Sequence, residues 1–215
     1  MSVLGSNEYL HNKLVYNDTA FNNTIKGLKK ALELNIGVSV NTTLTRYNYK
    51  DIDNIIRLLS NLGVKNFSIT RYIHTDFSRR DTLSLNVDEF NNVLYKLINC
   101  KIKDFNFRVS NCFPLCVLDT KLLSVSDIIK KVAPCDGGKS WIAIDYEGNI
   151  MPCPSFRYKC GNILHDDLAT IWKDNQQLCS IRNNELCPQK CKKCKYIEIC
   201  GGGCKACSIT STAKS

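Results

Sequence analysis

Five cysteines crowd into the seventeen residues at 191–207, CKKCKYIEICGGGCKAC. Twelve of the chain's thirteen cysteines lie between Cys112 and Cys207. An odd count argues against a closed disulfide framework. The N-terminal MSVLGSNEYLHN lacks a basic stretch followed by an apolar one, so the chain reads as a cytoplasmic protein without a signal peptide. In a reducing compartment such density means metal more often than disulfides. Thiolates are soft ligands that suit zinc or iron–sulfur, and a C-x2-C pair lets both sulfurs reach one centre from a tight turn.

The spacings narrow this further. Cys135-x12-Gly148-x4-Cys153 comes first, and Cys191-x2-Cys194-x5-Cys200-x3-Cys204 follows. Together they form a long and specific pattern. The C-x3-C-x2-C of Cys200, Cys204 and Cys207 is weak by itself, because Cys187, Cys191 and Cys194 repeat it.

The net charge is +9. A nucleic-acid partner is one reading of that excess, and the weaker one. Each [4Fe–4S] core with four thiolates carries about −2, so two of them reduce the total to about +5. Lys190, Lys192, Lys193, Lys195 and Lys205 stand beside the cysteines as counter-charge. No apolar run approaches the roughly 18 residues that a membrane helix needs.

The first half alternates helical and extended periods. TAFNNTIKGLKKALEL sets Phe21, Ile25, Leu28 and Leu32 on one helical face, with Asp18 or Thr19 as N-cap. IGVSVNTTL reads as a strand. DIDNIIRLLSNLG gives a helix with Ile52, Ile55, Ile56 and Leu59 inward and Gly63 at its end. NFSITRY is a strand, NVDEFNNVLYKLI a helix with Phe90, Val93, Leu94 and Leu97 inward, and FNFRV another strand. This alternation predicts an α/β fold with a parallel sheet. Three strand–helix steps neither close a barrel nor shield its first edge. Ser2 to Gly5 reads as the end of a strand, so the first half looks like part of a larger fold. From Asn111 the composition changes, which divides the chain into 1–111 and 112–215. WIAIDYEGNIMPCP predicts a hairpin turning at Glu147-Gly148-Asn149, and DDLATIWKD a short helix with Leu168, Ile171 and Trp172 inward.

The cysteine pattern resembles that of the SPASM domain, the auxiliary-cluster module at the C-terminus of many radical S-adenosylmethionine (SAM) enzymes. IAIDYEGNIMPC, CGNILHDDLATIW and CGGGC look like its flanking text. SVLGSNEYLHN and NIGVSVNTTLTRYN are similar to later strands of the radical SAM barrel. The resemblance implies the C-terminal part of a partial (β/α)6 barrel followed by a small Cys-rich domain with a β-hairpin and short helices. It also implies a peptide- or protein-modifying enzyme, in which a radical made from SAM abstracts hydrogen from the substrate.

The ligands it implies interleave. Cys135, Cys153 and Cys204 bind auxiliary cluster I with an upstream fourth, Cys116 or Cys112. Cys191, Cys194 and Cys200 bind auxiliary cluster II, completed by Cys207 or Cys187. Two [4Fe–4S] clusters are expected, with SAM only in the complete enzyme. An electron donor such as ferredoxin or flavodoxin, and a chain supplying the N-terminal strands, are the implied partners. The family's catalytic C-x3-C-x2-C follows the first barrel strand, whereas nothing upstream of Cys100 is cysteine. Cys200, Cys204 and Cys207 follow the barrel segment instead, and Ala206 stands where the catalytic loop usually has an aromatic. They therefore read as auxiliary ligands, and the chain alone as unable to cleave SAM. A four-cysteine zinc module and a non-catalytic cluster or peptide-recognition subunit are the alternatives.

The remaining candidates have plainer readings. Cys100 is a core residue; Cys160 and Cys179 are free thiols. His74 and His165 are structural, His11 sits at the surface or caps a helix, and Trp141 and Trp172 are core. Arg71 and Asn41 lie near strand ends, where barrel enzymes place active-site groups.

Overall fold

The computed structural model describes residues 1–74, 81–124 and 126–207. The chain divides into two compact units, Met1–Asn111 with Cys116–Ala133, and Cys112–Leu115 with Pro134–Ser215.

The first unit is built on a parallel sheet of β1 (Ser39–Leu44), β2 (Asn66–Arg71) and β3 (Asn106–Val109), in that order. Val40 pairs with Phe67 and Phe67 with Phe107; Asn41 pairs with Ser68 and Ser68 with Arg108. Ser2 adds a parallel bridge to Asn41, with the Val3 N–H donating to the Asn41 carbonyl at 3.0 Å, so the chain start lies along the sheet edge.

Successive strand residues face opposite ways. Val40, Thr42, Leu44, Phe67, Ile69, Phe107 and Val109 are buried. The other face carries Ser39, Asn41, Thr43, Ser68, Thr70 and Arg108. Asn41 donates to the Ser68 and Thr70 hydroxyls at 2.9 Å each.

The helices are α1 (Glu8–Val15), α2 (Ala20–Glu33), α3 (Ile52–Asn61) and α4 (Val87–Ile98). The inward positions of α3 (Ile52, Ile55, Ile56, Leu59) and α4 (Phe90, Val93, Leu94, Leu97) are buried as their 3.6-residue period dictates. In α2 only Leu28 is fully buried. Gly63, at φ +85°, ends α3 in the left-handed conformation. α4 opens on a capping box between Asn86 and Glu89. Two short helices, α5 (Thr120–Ser124) and α6 (Ser126–Lys131), also belong to this unit. Asn91 donates to the Val117 carbonyl at 3.0 Å, and Leu118, Leu122 and Ile128 are buried.

The second unit contains a small antiparallel sheet of β4 (Ala143–Ile144), β5 (Asn149–Met151) and β6 (Gly161–Asn162). Helices α7 (Leu168–Asp174), α8 (Gln176–Arg182) and α9 (Ile197–Cys200) follow. The hairpin turns through Gly148 at φ +81°, with Asp145 accepting from the Glu147 and Asn149 amides. Ile150, Cys160, Ile171 and Leu178 form the core, with Ile142 and Trp172 against it.

Several expectations are corrected here. Trp141 is 45% exposed, and the core contact falls to its neighbour Ile142. Leu168 is 40% exposed at the first position of α7, and the core contact falls to Ile171. His11 is buried at 2% exposure, with its Nδ1 accepting from the Leu4 N–H at 3.1 Å. Burial lowers its pKa, which favours the neutral ring that this acceptor role needs. Cys100 is only half-buried.

Leu94→Ala removes a fully buried side chain from the α4 face. It should destabilise the first unit by about 2–5 kcal/mol, read as a lower denaturant midpoint.

Candidate cluster-binding site

Residues far apart in sequence supply the thiols of the second unit. Cys112 precedes the rest of that unit, Cys135 precedes the hairpin, Cys153 follows β5, and Cys204 follows a triple-glycine loop. Cys112 hydrogen-bonds both Cys135 and Cys204, and Cys204 also bonds Cys207.

One proton is shared unequally in this group. Cys112 is pushed strongly upward, first by its bonds to Cys135 and Cys204 and then by burial, so it keeps its proton and donates. Cys135 is held down, chiefly by the Cys112 bond, with the Lys205 backbone N–H as a further donor. Cys204 is held down by Cys112 first, then by Cys207, with the Cys207 and Ala206 amides adding. The structure thus favours thiolates at Cys135 and Cys204, the form that binds metal. Burial raises Cys153, the Ser155 and Phe156 N–H groups lower it, and negative charge on Cys204 and Cys135 raises it further. The Phe156 N–H donates to Cys153 Sγ at 3.2 Å.

The loop that delivers Cys204 requires glycine. Gly201, Gly202 and Gly203 have φ of +56°, +76° and +79°. A Cβ on Gly203 would stand 2.7 Å from Pro114, which follows Cys112 by two residues. Only residues without a side chain tolerate both the conformation and the approach.

Of the other sequence-predicted ligands, Cys191 and Cys194 sit in consecutive tight turns, with the Cys194 N–H donating to the Cys191 carbonyl at 3.0 Å. Cys200 ends α9, and its Sγ accepts from the Leu115 N–H at 3.4 Å. Cys207 is brought to Cys204. Cys116 is exposed and belongs to the first unit, whereas Cys112 stands among the thiols. Cys187 is buried, with its Sγ 2.9 Å from both Lys205 Nζ and the Gly201 carbonyl. Cys160 lies in the hydrophobic core, and burial pushes its thiol up to about 11.

Among the described residues, no three His, Cys, Asp or Glu side chains converge as ligands of a single metal ion do. The thiols meet as hydrogen-bonding neighbours. Soft sulfur donors, thiolate character and backbone N–H groups aimed at sulfur are the donor chemistry of an iron–sulfur cluster, so these residues fit that group.

In the first unit a cavity of about 390 Å³ opens beyond the C-terminal ends of β1 and β2, lined in part by Leu4, Thr43, Thr45, Tyr47 and Tyr72. Asn41 lies on the polar sheet face, and Asn111 brackets Arg71, accepting from its N–H at 2.9 Å and donating to its carbonyl at 2.6 Å.

Residues 135–195 match the SPASM family, described as an iron–sulfur cluster-binding domain. Nearly the whole chain shares its fold with solved structures. It superposes on Streptococcus suis SuiB with a TM-score of 0.71 and 18% identity, over 98% of this chain and 51% of that one. For anSMEcpe with bound AdoMet the TM-score is 0.64, with 16% identity, over 96% and 58% of the two chains.

The family match is thus confined to residues 135–195, and along the rest of the chain the likeness is one of fold. Among relatives in sequence, the AdoMet-dependent heme synthase of Oleidesulfovibrio alaskensis is 23% identical across 98% of this chain and 57% of its own length. The cysteine-type anaerobic sulfatase-maturating enzyme of Clostridium perfringens is 26% identical across 58% of this chain and 34% of its own. The chain thus spans little more than half the length of the first of these relatives.

The thiol ordering has a direct test in alkylation of the metal-free chain, mapped by mass spectrometry. A depressed pKa keeps Cys135 a thiolate below the ordinary thiol range, so it should react with iodoacetamide at pH 7 well before Cys160. Cys160 should gain reactivity only as the pH climbs toward about 11. Equal rates at pH 7 would contradict the ordering.

Proposed function

We propose that this chain is the C-terminal portion of a radical SAM/SPASM enzyme that modifies a peptide or protein, and that it carries two auxiliary [4Fe–4S] clusters. The observation that carries the reading is Cys112 bonded to both Cys135 and Cys204, inside the region that matches an iron–sulfur domain and beside it. Cys112, Cys135, Cys153 and Cys204 form the first ligand set, with Cys112 in the place for which Cys116 was the other candidate. Cys191, Cys194, Cys200 and Cys207 form the second.

A bound cluster supplies one-electron transfer. The chain's own residues favour the thiolate form at Cys135 and Cys204 and direct N–H groups at the sulfurs, and the glycine loop delivers Cys204. A peptide substrate is supported by SuiB, whose solved structures include one bound to precursor peptide SuiA. It is also supported by anSMEcpe, seen with a bound peptide. The electron donor in this reading is a ferredoxin or flavodoxin. The reaction needs the catalytic C-x3-C-x2-C, so the present chain without further barrel strands forms no 5′-deoxyadenosine.

A second substrate class is favoured by one observation. The relatives that align along the greatest length of this chain are heme synthases, at 98% and 99% coverage. On that reading the substrate is a tetrapyrrole. Binding of a fluorescent peptide against binding of a porphyrin, followed on the iron-loaded chain, separates the two.

Iron and acid-labile sulfide per chain, measured after anaerobic reconstitution with zinc counted in the same sample, test the site. About eight of each are expected for two cubanes. Cys112→Ala should lower the count to about four, whereas Cys116→Ala should leave it unchanged. Zinc in place of iron would overturn the proposal.

A further inference from the structure

Lys205 is 3% exposed, an extreme position for a lysine. Its ammonium touches Cys187 Sγ at 2.9 Å and the Gly201 carbonyl. Its backbone N–H serves Cys135, and its sequence neighbour is Cys204. Cys187 is itself buried, beneath the loop: a Cβ on Gly202 would meet its Sγ at 3.0 Å. Among the described residues no carboxylate stands at ion-pair distance from Lys205. An ammonium taken out of water is costly unless negative charge lies beside it. In this unit that charge belongs to Cys135, which the Lys205 backbone N–H and ammonium both favour as thiolate.

The sequence offered five lysines as counter-charge. Lys190, Lys192, Lys193 and Lys195 are exposed, so water and salt screen them. Lys205 alone among the five is buried, where the same charge acts through a far lower dielectric. Lys139 flanks the same loop from outside, donating to Asn184 at 3.3 Å.

We infer that Lys205 is a positioning residue for the cluster held by Cys112, Cys135, Cys153 and Cys204, its buried ammonium acting as that cluster's fixed counter-charge. Cys187 is the ammonium's sulfur neighbour and not a cluster ligand. This rests on the proposal that those thiols hold an iron–sulfur cluster. Charge and hydrogen bonds beside a cluster set its reduction potential. A fixed positive charge stabilises the more negative, reduced state and so raises the potential. Removing the charge lowers it.

The test is an EPR-monitored redox titration of the iron-loaded chain, with iron and sulfide counted in each sample. Lys205→Met should keep the wild-type iron count and shift one cluster's midpoint to more negative potential. Lys205→Arg should stay near wild type. Cys187→Ser should also keep full iron. A midpoint that moves in Lys205→Met and stays in Lys205→Arg is not the signature of a packing defect. Full iron in Lys205→Met with an unmoved midpoint overturns the inference, as does iron lost from Cys187→Ser, which would make Cys187 a ligand. Should Lys205→Met fail to load, Lys205→Gln, which also removes the charge, carries the test through the same two outcomes. Wild-type chain that takes up no iron defeats the cluster reading itself, a result distinct from either.

Discussion

Crowded sulfur is the constraint from which the second unit follows. Like charges brought into contact cannot all ionise, so one of the neighbours Cys112, Cys135 and Cys204 must keep a proton or all must share a cation. The structure resolves this with Cys112 as the protonated donor and the other two as acceptors. That arrangement brings together sulfurs far apart in sequence: the Leu115 amide reaches Cys200 across 85 residues, and Gly203 packs on Pro114. Each contact closes a long loop, which costs entropy that the sulfurs alone do not repay.

The hydrophobic core of that unit is small. Ile150, Cys160, Ile171 and Leu178 are its buried centre. A core of that size contributes little beyond the entropy of ordering its chain, which is where small domains turn to metals. Ligand binding that requires assembled thiolates adds its free energy to folding. The loop glycines make sense in these terms. They forgo side-chain packing so that the Gly203 backbone can approach Pro114 and deliver Cys204 beside Cys112.

Much of the first unit was legible because burial there is periodic. The apolar positions of α3 and α4 recur at helical spacing, and β1 and β2 alternate residue by residue, so type and facing could both be read. The short elements were harder. Helix α8 has a two-residue buried stripe, Leu178 and Ile181, and its clearest signal is the Asn175 cap. Helix α1 was hidden because its segment read as a strand end, though Asn7 accepts from the Leu10 amide as an N-cap should. At the site, spacing identified the cysteines that share chemistry. It did not separate Cys112 from Cys116, four residues away in a loop without a repeating pattern. Nor did it distinguish a buried lysine from four exposed ones in a run of basic residues. Those distinctions are tertiary: they depend on what the glycine loop covers.

The parallel sheet presents the converse problem. Parallel strands usually read as apolar runs because both faces are covered. Here one face is apolar and buried, while the other carries a ladder of amides and hydroxyls, Asn41 with Ser68 and Thr70, and Arg108 one strand further on. The ladder satisfies part of its own hydrogen-bonding capacity, so the face tolerates exclusion from water without apolar cover. A sheet that alternates this way has been selected to look onto something polar. Relatives of nearly twice this length have more chain with which to enclose such a face. Under the proposed function, the polar face and the cavity beyond the strand ends serve the substrate, and the sulfurs of the second unit carry the electrons.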